Sequence, residues 1–153
     1  MRIVKAEIDD LPAILSLQKL AYQSEAELLN DFTIAPLTQT PEGILDDFNS
    51  GIVLKAVEED NPAEIIGSVR GRFLDGTLHI GKLMVHPSCQ NRGIGTALLL
   101  GIEALYPGAR YELFTSEKSI KNLYLYTKNG YAEFKRERLN GNTSFVYLEK
   151  RNG

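Results

Sequence analysis

Gln90, Gly93 and Gly95 carry the clearest chemical signal in the chain, within the run Val85-His86-Pro87-Ser88-Cys89-Gln90-Asn91-Arg92-Gly93-Ile94-Gly95-Thr96. An apolar strand pattern precedes this run and an apolar helical pattern follows at once. Glycine lacks a Cβ, so backbone N–H groups at such a turn can approach an anion that side chains would block. The start of a helix adds unpaired N–H groups and partial positive charge. Gln90, Asn91, Arg92, Gly93, Ile94, Gly95 and Thr96 therefore read as a backbone cradle for a phosphate or pyrophosphate. Arg92 reads either as a cation placed for a phosphate oxygen or as a solvated loop residue. The bland alternative for the whole run is an ordinary glycine-rich strand-to-helix turn.

Two better-known phosphate motifs do not fit. A Walker A loop needs Lys and then Ser or Thr after its second Gly, and here Gly95 is followed by Thr96 and Ala97. A Rossmann fingerprint needs three glycines, and only Gly93 and Gly95 are placed for it. Metal chemistry is poorly supplied as well. His79, His86 and Cys89 are the only His and Cys residues, and no second pair completes a zinc site, so no catalytic metal is expected.

Composition sets the wider bounds. The 153 residues suit one domain, 1–153, and 43% hydrophobic content is enough for a core. No apolar run is long enough to span a membrane, and the charged N-terminus does not read as a secretory signal. One Cys permits no internal disulfide. A net charge of −3 without a basic cluster speaks against nucleic acid as a partner. A soluble cytoplasmic protein with no membrane partner is expected, and a homodimer stays open.

Several elements must position the glycine turn. Ile3 to Ile8 reads as a strand, and Asp9 or Asp10 then caps a helix with Pro12 in its first turn. Ala21 to Thr40 is ambiguous, with Ser24 to Leu29 open to a helix. Thr40-Pro41-Glu42 starts a helix that Asn49-Ser50-Gly51 ends. Strands follow over Ile52 to Glu58, Glu64 to Leu74 and Thr77 to His86, the last two joined at Asp75-Gly76. Leu78, Ile80 and Met84 would share one face, but Lys82 breaks the alternation, and Gly81 beside it suggests a β-bulge. A helix over Thr96 to Tyr106 carries the stripe Ile94, Leu98, Ile102, Leu105, and a strand over Ala109 to Thr115 completes a parallel crossover. Ser116 or Ser119 caps a last helix that Gly130 closes. A hairpin around Asn140-Gly141 ends the pattern. The expected fold class is α/β (α+β): a mixed, mostly antiparallel sheet flanked by helices.

The order Gln-x-x-Gly-x-Gly after Val-His-Pro resembles the signature of the GNAT superfamily of acetyl-CoA-dependent N-acetyltransferases. A second block, Asn122-Leu123-Tyr124-Leu125-Tyr126-Thr127-Lys128-Asn129-Gly130-Tyr131, is similar to the family's Leu-Tyr-x-x-x-Gly-Phe/Tyr block. The resemblance covers about Gly67 to Tyr147. It implies transfer of an acetyl group from acetyl-CoA to a primary amine of a small molecule or peptide, by direct attack in a ternary complex. It also implies that backbone groups of Leu83, Met84 and Val85 hold the pantetheine arm.

Ser119, Asn122 and Tyr126 fall on one helical face by their spacing, with Ile120, Leu123, Tyr124 and Thr127 on a different, mostly apolar one. By resemblance, Tyr126 is the general acid that protonates the departing thiolate, and Ser119 and Asn122 are cofactor-binding residues. A packed aromatic with a satisfied hydroxyl is the structural alternative for Tyr126. His79 is a general-base candidate because imidazole titrates near neutrality, although a lone strand histidine is commonly structural. A water chain serves the same purpose. Cys89 has no activating neighbour except His86, and a covalent role is not expected. Glu25, Glu27, Asp31, Asp46 and Asp47 make the N-terminal half acidic, which suits a cationic amine or simply solvated helices. A non-catalytic acetyl-CoA-binding regulatory module is the competing reading.

Overall fold

The computed structural model describes residues 1–151. Strands β1 (Arg2–Lys5), β2 (Ile52–Val57), β3 (Ile65–Leu74), β4 (Thr77–Val85), β5 (Arg110–Ser116), β6 (Ala132–Asn140) and β7 (Thr143–Arg151) form one sheet in the order β1-β2-β3-β4-β5-β7-β6. Every pairing is antiparallel except β4 with β5. Helices α1 (Leu11–Ala21), α2 (Gln23–Leu29), α3 (Ala35–Thr38) and α4 (Pro41–Ser50) lie between β1 and β2 in the chain. Helix α5 (Ile94–Ala104) joins β4 to β5, and α6 (Ile120–Lys128) joins β5 to β6.

Local chemistry explains most of these boundaries. Asp75 and Gly76 both take positive φ, 51° and 81°, as a two-residue type I′ hairpin requires. Thr40 Oγ1 accepts from the Gly43 N–H at 3.1 Å, and Pro41 opens α4 without losing a needed donor. The first strand is shorter than its pattern suggests. The Glu7 N–H donates to Asp10 Oδ2 at 2.8 Å, which folds residues 8–10 into a tight turn. Asp10 also pairs with Lys55 at 2.8 Å, so its carboxylate does not cap α1. The ambiguous stretch resolves into α2 and α3, with Asn30 in the left-handed region ending α2. Helix α5 starts earlier than its pattern, at Ile94, and stops at Ala104, which leaves Leu105 exposed rather than on the buried stripe.

Two apolar clusters hold the layers. One gathers Leu98, Leu99 and Ile102 of α5 with Val69, Leu78, Ile80, Tyr111 and Leu148 of the sheet. The other gathers Leu11, Ile14 and Leu17 of α1 with Ile44, Val53 and Met84. The expectation that Leu78, Ile80 and Met84 share a face is thus corrected. Lys82 has φ 52°, and the β3–β4 register shifts between Ser68 and Arg70. The extra residue moves everything after it to the opposite face. Leu83 and Val85 then pack against the cluster that holds Leu78 and Ile80, while Met84 joins the other.

The parallel β4–β5 ladder covers only Thr77, Leu78 and His79 against Arg110, Tyr111 and Glu112. Beyond it β5 stays with β7 along its full length, and β4 stays with β3. The two strands part, and the sheet opens between them.

A buried charge braces the far side of this opening. Glu103 of α5 accepts from Tyr131 Oη at 2.8 Å and from Lys150 Nζ at 2.7 Å. The Tyr131 N–H in turn donates to the Tyr126 carbonyl at 3.0 Å and closes α6. Burial and the bond to Glu103 push the Tyr131 phenol well above its ordinary pKa. Removing one partner of a buried pair costs more than the pair contributes. Glu103→Ala should therefore destabilise the fold by about 3 kcal/mol in urea titration. A loss below about 1 kcal/mol would show that the two partners find water instead.

Candidate active site

The opening between β4 and β5 contains a cavity of about 300 Å³, lined by His79, Ile80, Gly81, Glu112, Leu113, Phe114 and Tyr147. On its floor His79 Nδ1 lies 3.6 Å from Glu112 Oε2. The other oxygen of Glu112 accepts from Arg110 at 2.7 Å, and Arg110 also donates to Glu149 at 2.7 Å. His79 is half exposed above this ion group and lines the cavity.

The glycine turn lies at the end of β4. Asn91 and Gly93 take left-handed φ of 63° and 78°, with Arg92 between them. A Cβ at Gly93 would meet no atom within 4 Å, so Gly93 is required for its backbone angle and leaves its approach open. Gly95 serves packing: a Cβ there would stand 3.4 Å from Leu125 of α6. Gln90 ties the turn down, donating to the Val85 carbonyl at 3.2 Å and accepting from Lys121 at 2.8 Å. Arg92 is not a lone loop cation. Its Nη2 donates to Glu58 at 2.6 Å on the exposed surface. The side chains of Leu83, Met84 and Val85 pack into the two clusters, and Met84 and Val85 pair with Ser68 and Gly67 of β3.

Helix α6 is turned opposite to a simple hydrophobic rule. Ile120 and Tyr124 are 71% and 66% exposed, whereas Tyr126 is only 6% exposed. The Ser119–Asn122–Tyr126 face points inward, and of the apolar face Ile120 and Tyr124 meet water while Leu123 packs on the core. Ser119 sits at the helix start, but its hydroxyl does not cap it. It donates to Glu25 of α2, with both carboxylate oxygens within 2.6 and 2.7 Å. Asn122 Nδ2 donates to Thr115 Oγ1 at 3.3 Å. The Tyr126 ring packs 6.1 Å from that of Tyr131, as a core residue would. Its hydroxyl, however, bonds to nothing among the described residues and is not fully sealed from solvent. Burial, with Tyr22 and Glu25 nearby, pushes this phenol well above its ordinary pKa. The phenol therefore holds its proton at neutral pH.

Sequence reasoning missed Tyr22 and Arg70, and it named Glu25 and Lys82 without their surroundings. Glu25 lay in a stretch without clear periodicity, and Tyr22 ends α1 beside it. Burial pushes the Tyr22 phenol up, as does Glu25, while Arg70 opposes the shift. Arg70 is 5% exposed, between Val69 and Gly71 of β3. It donates to Gln18, to Gln39 Oε1 at 3.0 Å and to Asp47 Oδ2 at 3.0 Å. Lys82 signalled the bulge but not its own surroundings. Burial and the neighbouring Arg70 push its ammonium pKa down, against Asp47. The available signal was a charged residue within each of two strand patterns.

Solved structures share this architecture. PaiA N-acetyltransferase from Thermoplasma acidophilum, in complex with coenzyme A, matches with a TM-score of 0.78 and 19% identity, covering 99% of this chain and 98% of that one. Ribosomal-protein-S18-alanine N-acetyltransferase from Escherichia coli matches at 0.79 and 14% identity, covering 98% and 92%. YncA from Salmonella typhimurium, a putative acetyltransferase solved with acetyl-CoA, matches at 0.73 and 19%, covering 99% and 93%. At these identities the likeness is one of fold. No curated protein sequence matches the chain. The model of the acetyltransferase (GNAT) family matches residues 12–131, which include the glycine turn, both strands of the opening and Tyr126. The chain belongs to the acetyltransferase (GNAT) family.

Proposed function

We propose that the protein transfers an acetyl group from acetyl-CoA to a primary amine of a small molecule or peptide, in the cytoplasm and by direct attack in a ternary complex. The observation that carries this reading is Tyr126, a buried phenol on the inner face of α6 whose hydroxyl is left without a partner among the described residues. A regulatory module that only bound acetyl-CoA would have no use for it. The left-handed turn at Asn91 and Gly93 leaves its N–H groups open at the start of α5, which suits the pyrophosphate of the cosubstrate. Residues 80–85 of β4 lack β5 as a partner, which suits the amide-bearing pantetheine arm. Ser119 and Asn122 line the same side and fix its course.

The reaction needs few groups. The amine gives up a proton to water in the cavity, where His79 above Glu112 receives it. The nitrogen lone pair then bonds to the thioester carbon, the C–S bond breaks, and the sulfur takes the Tyr126 proton. The bound amine loses its second proton to water, and Tyr126 is reprotonated from solvent. The products are an N-acetyl amine and free CoA. No step of this scheme uses a metal. Treatment with EDTA should leave turnover unchanged, and a loss restored by zinc would overturn that point.

Gly93→Val places a β-branched residue at a φ of 78°. Strain of about 1–3 kcal/mol should distort the turn and weaken CoA binding at least tenfold in calorimetry on the folded variant. Gly95→Val should weaken it too, by pushing α5 off Leu125. Unchanged affinity in both would remove the turn from the site.

Tyr126→Phe keeps the ring and deletes the proton donor. We expect kcat to fall about 100-fold with CoA affinity nearly unchanged. Because burial raises the phenol, its neutral form persists beyond the ordinary value of about 10. The alkaline limb of the kcat profile should therefore lie above about pH 10, and an acid group lost below pH 9 or so would point to another donor.

A further inference from the structure

The geometry points to an acceptor amine that also carries a carboxylate, bound by Lys82 with Arg70 behind it. This inference rests on the acetyl-transfer reading and names its substrate class. Two cations share one counterion here. Arg70 makes its single ion pair among the described residues with Asp47, at 3.0 Å. Its Nη atoms are satisfied by Gln18, Gln39 and Asp47, and its Nε is buried without any acceptor. Lys82 has neither an ion pair nor a hydrogen bond among the described residues.

Register places these groups together. Arg70 faces Gly81 across the β3–β4 pair, and Lys82 is the next residue, held at φ 52° by the bulge. After the bulge Lys82 shares a face with Met84, which packs into the α1 and α4 cluster. Gln18 of α1 and Asp47 of α4 cover Arg70 on that same side. Lys82 also directly precedes Leu83 and Met84, the segment assigned to the pantetheine arm. An unneutralised ammonium in such a place is unfavourable, and an incoming anion removes the imbalance. An anion lies nearby as well. Glu25, fixed by Ser119, acts on Tyr22 and Tyr126, while Arg70 acts on Tyr22 from its own side. An anion beside Tyr126 and cations at the bulge fit a zwitterion, as an amino acid is. This arrangement disfavours a polyamine, whose second cation would meet Lys82.

The test measures thiol release from acetyl-CoA with a set of amino acids, their α-carboxamides and spermidine. With the native protein, kcat/KM for the free acids should exceed that for the matched carboxamides at least tenfold, with spermidine lowest. In Lys82→Met the acid-to-carboxamide ratio should fall at least tenfold, and in Lys82→Arg it should stay near the native ratio. Carboxamides or spermidine used as well as the free acids would overturn the inference and leave acetyl transfer standing. So would an unmoved ratio in Lys82→Met. Thiol release with no amine at all would overturn acetyl transfer itself and the inference with it. If Lys82→Met does not fold, the native ratio decides alone.

Discussion

Strand β4 leaves β5 after three residue pairs, and Lys82 marks where it turns. One inserted residue at Gly81 and Lys82 does two things. It shifts the pairing with β3, and it exchanges the faces of the strand, so that Leu78 and Ile80 pack on one side and Met84 on the other. Strand β5 cannot follow, because its other edge is paired to β7 from Arg110 to Ser116. The sheet therefore parts where it would otherwise be continuous, and backbone groups near its centre are left open. The His79–Glu112 pair lines that gap, and the glycine turn follows the strand that leaves it.

Polar groups at such a gap have to be held without being neutralised. The molecule does this by bridging elements far apart in the chain. Ser119 at the start of α6 is bonded to Glu25 of α2. Gln18, Gln39 and Asp47 surround Arg70 from three helices or their borders. Arg110 is shared between Glu112 and Glu149. These bonds fix side-chain positions, and they leave the Tyr126 hydroxyl and the Lys82 ammonium without partners. The contrast between satisfied supports and unsatisfied tips separates a working site from an ordinary buried network.

Much of the fold was legible in the residues themselves. The hairpin at Asp75-Gly76, the Thr40 cap, the bulge at Gly81-Lys82 and the glycine turn into α5 all rest on backbone angles or local hydrogen bonds. Those depend on residues one to four positions apart. Reading failed where distant partners decide. Asp10 was expected to cap α1, yet Lys55 and the Glu7 N–H draw its carboxylate away. Ser116 or Ser119 was expected to cap α6, and the Ser119 hydroxyl goes to Glu25 instead. Arg92 reads as a phosphate cation or a loop cation, and its pairing with Glu58, just past β2, is not visible from the sequence.

The sequence by itself determined the order and type of the elements, the left-handed turn at Gly93, the bulge, and the family resemblance carried by the Gln90 and Tyr126 blocks. Each follows from short-range sterics and from patterns of apolar spacing. Only the tertiary structure decided which face of α6 points inward. Ile120 and Tyr124 are exposed, and Tyr126, with Leu123 and Leu125, packs on the apolar cluster instead. Only the tertiary structure, too, brought Tyr22, Glu25, Arg70 and Lys82 near one another. Their proximity arises from strand register and helix packing across dozens of residues, and no local pattern records it.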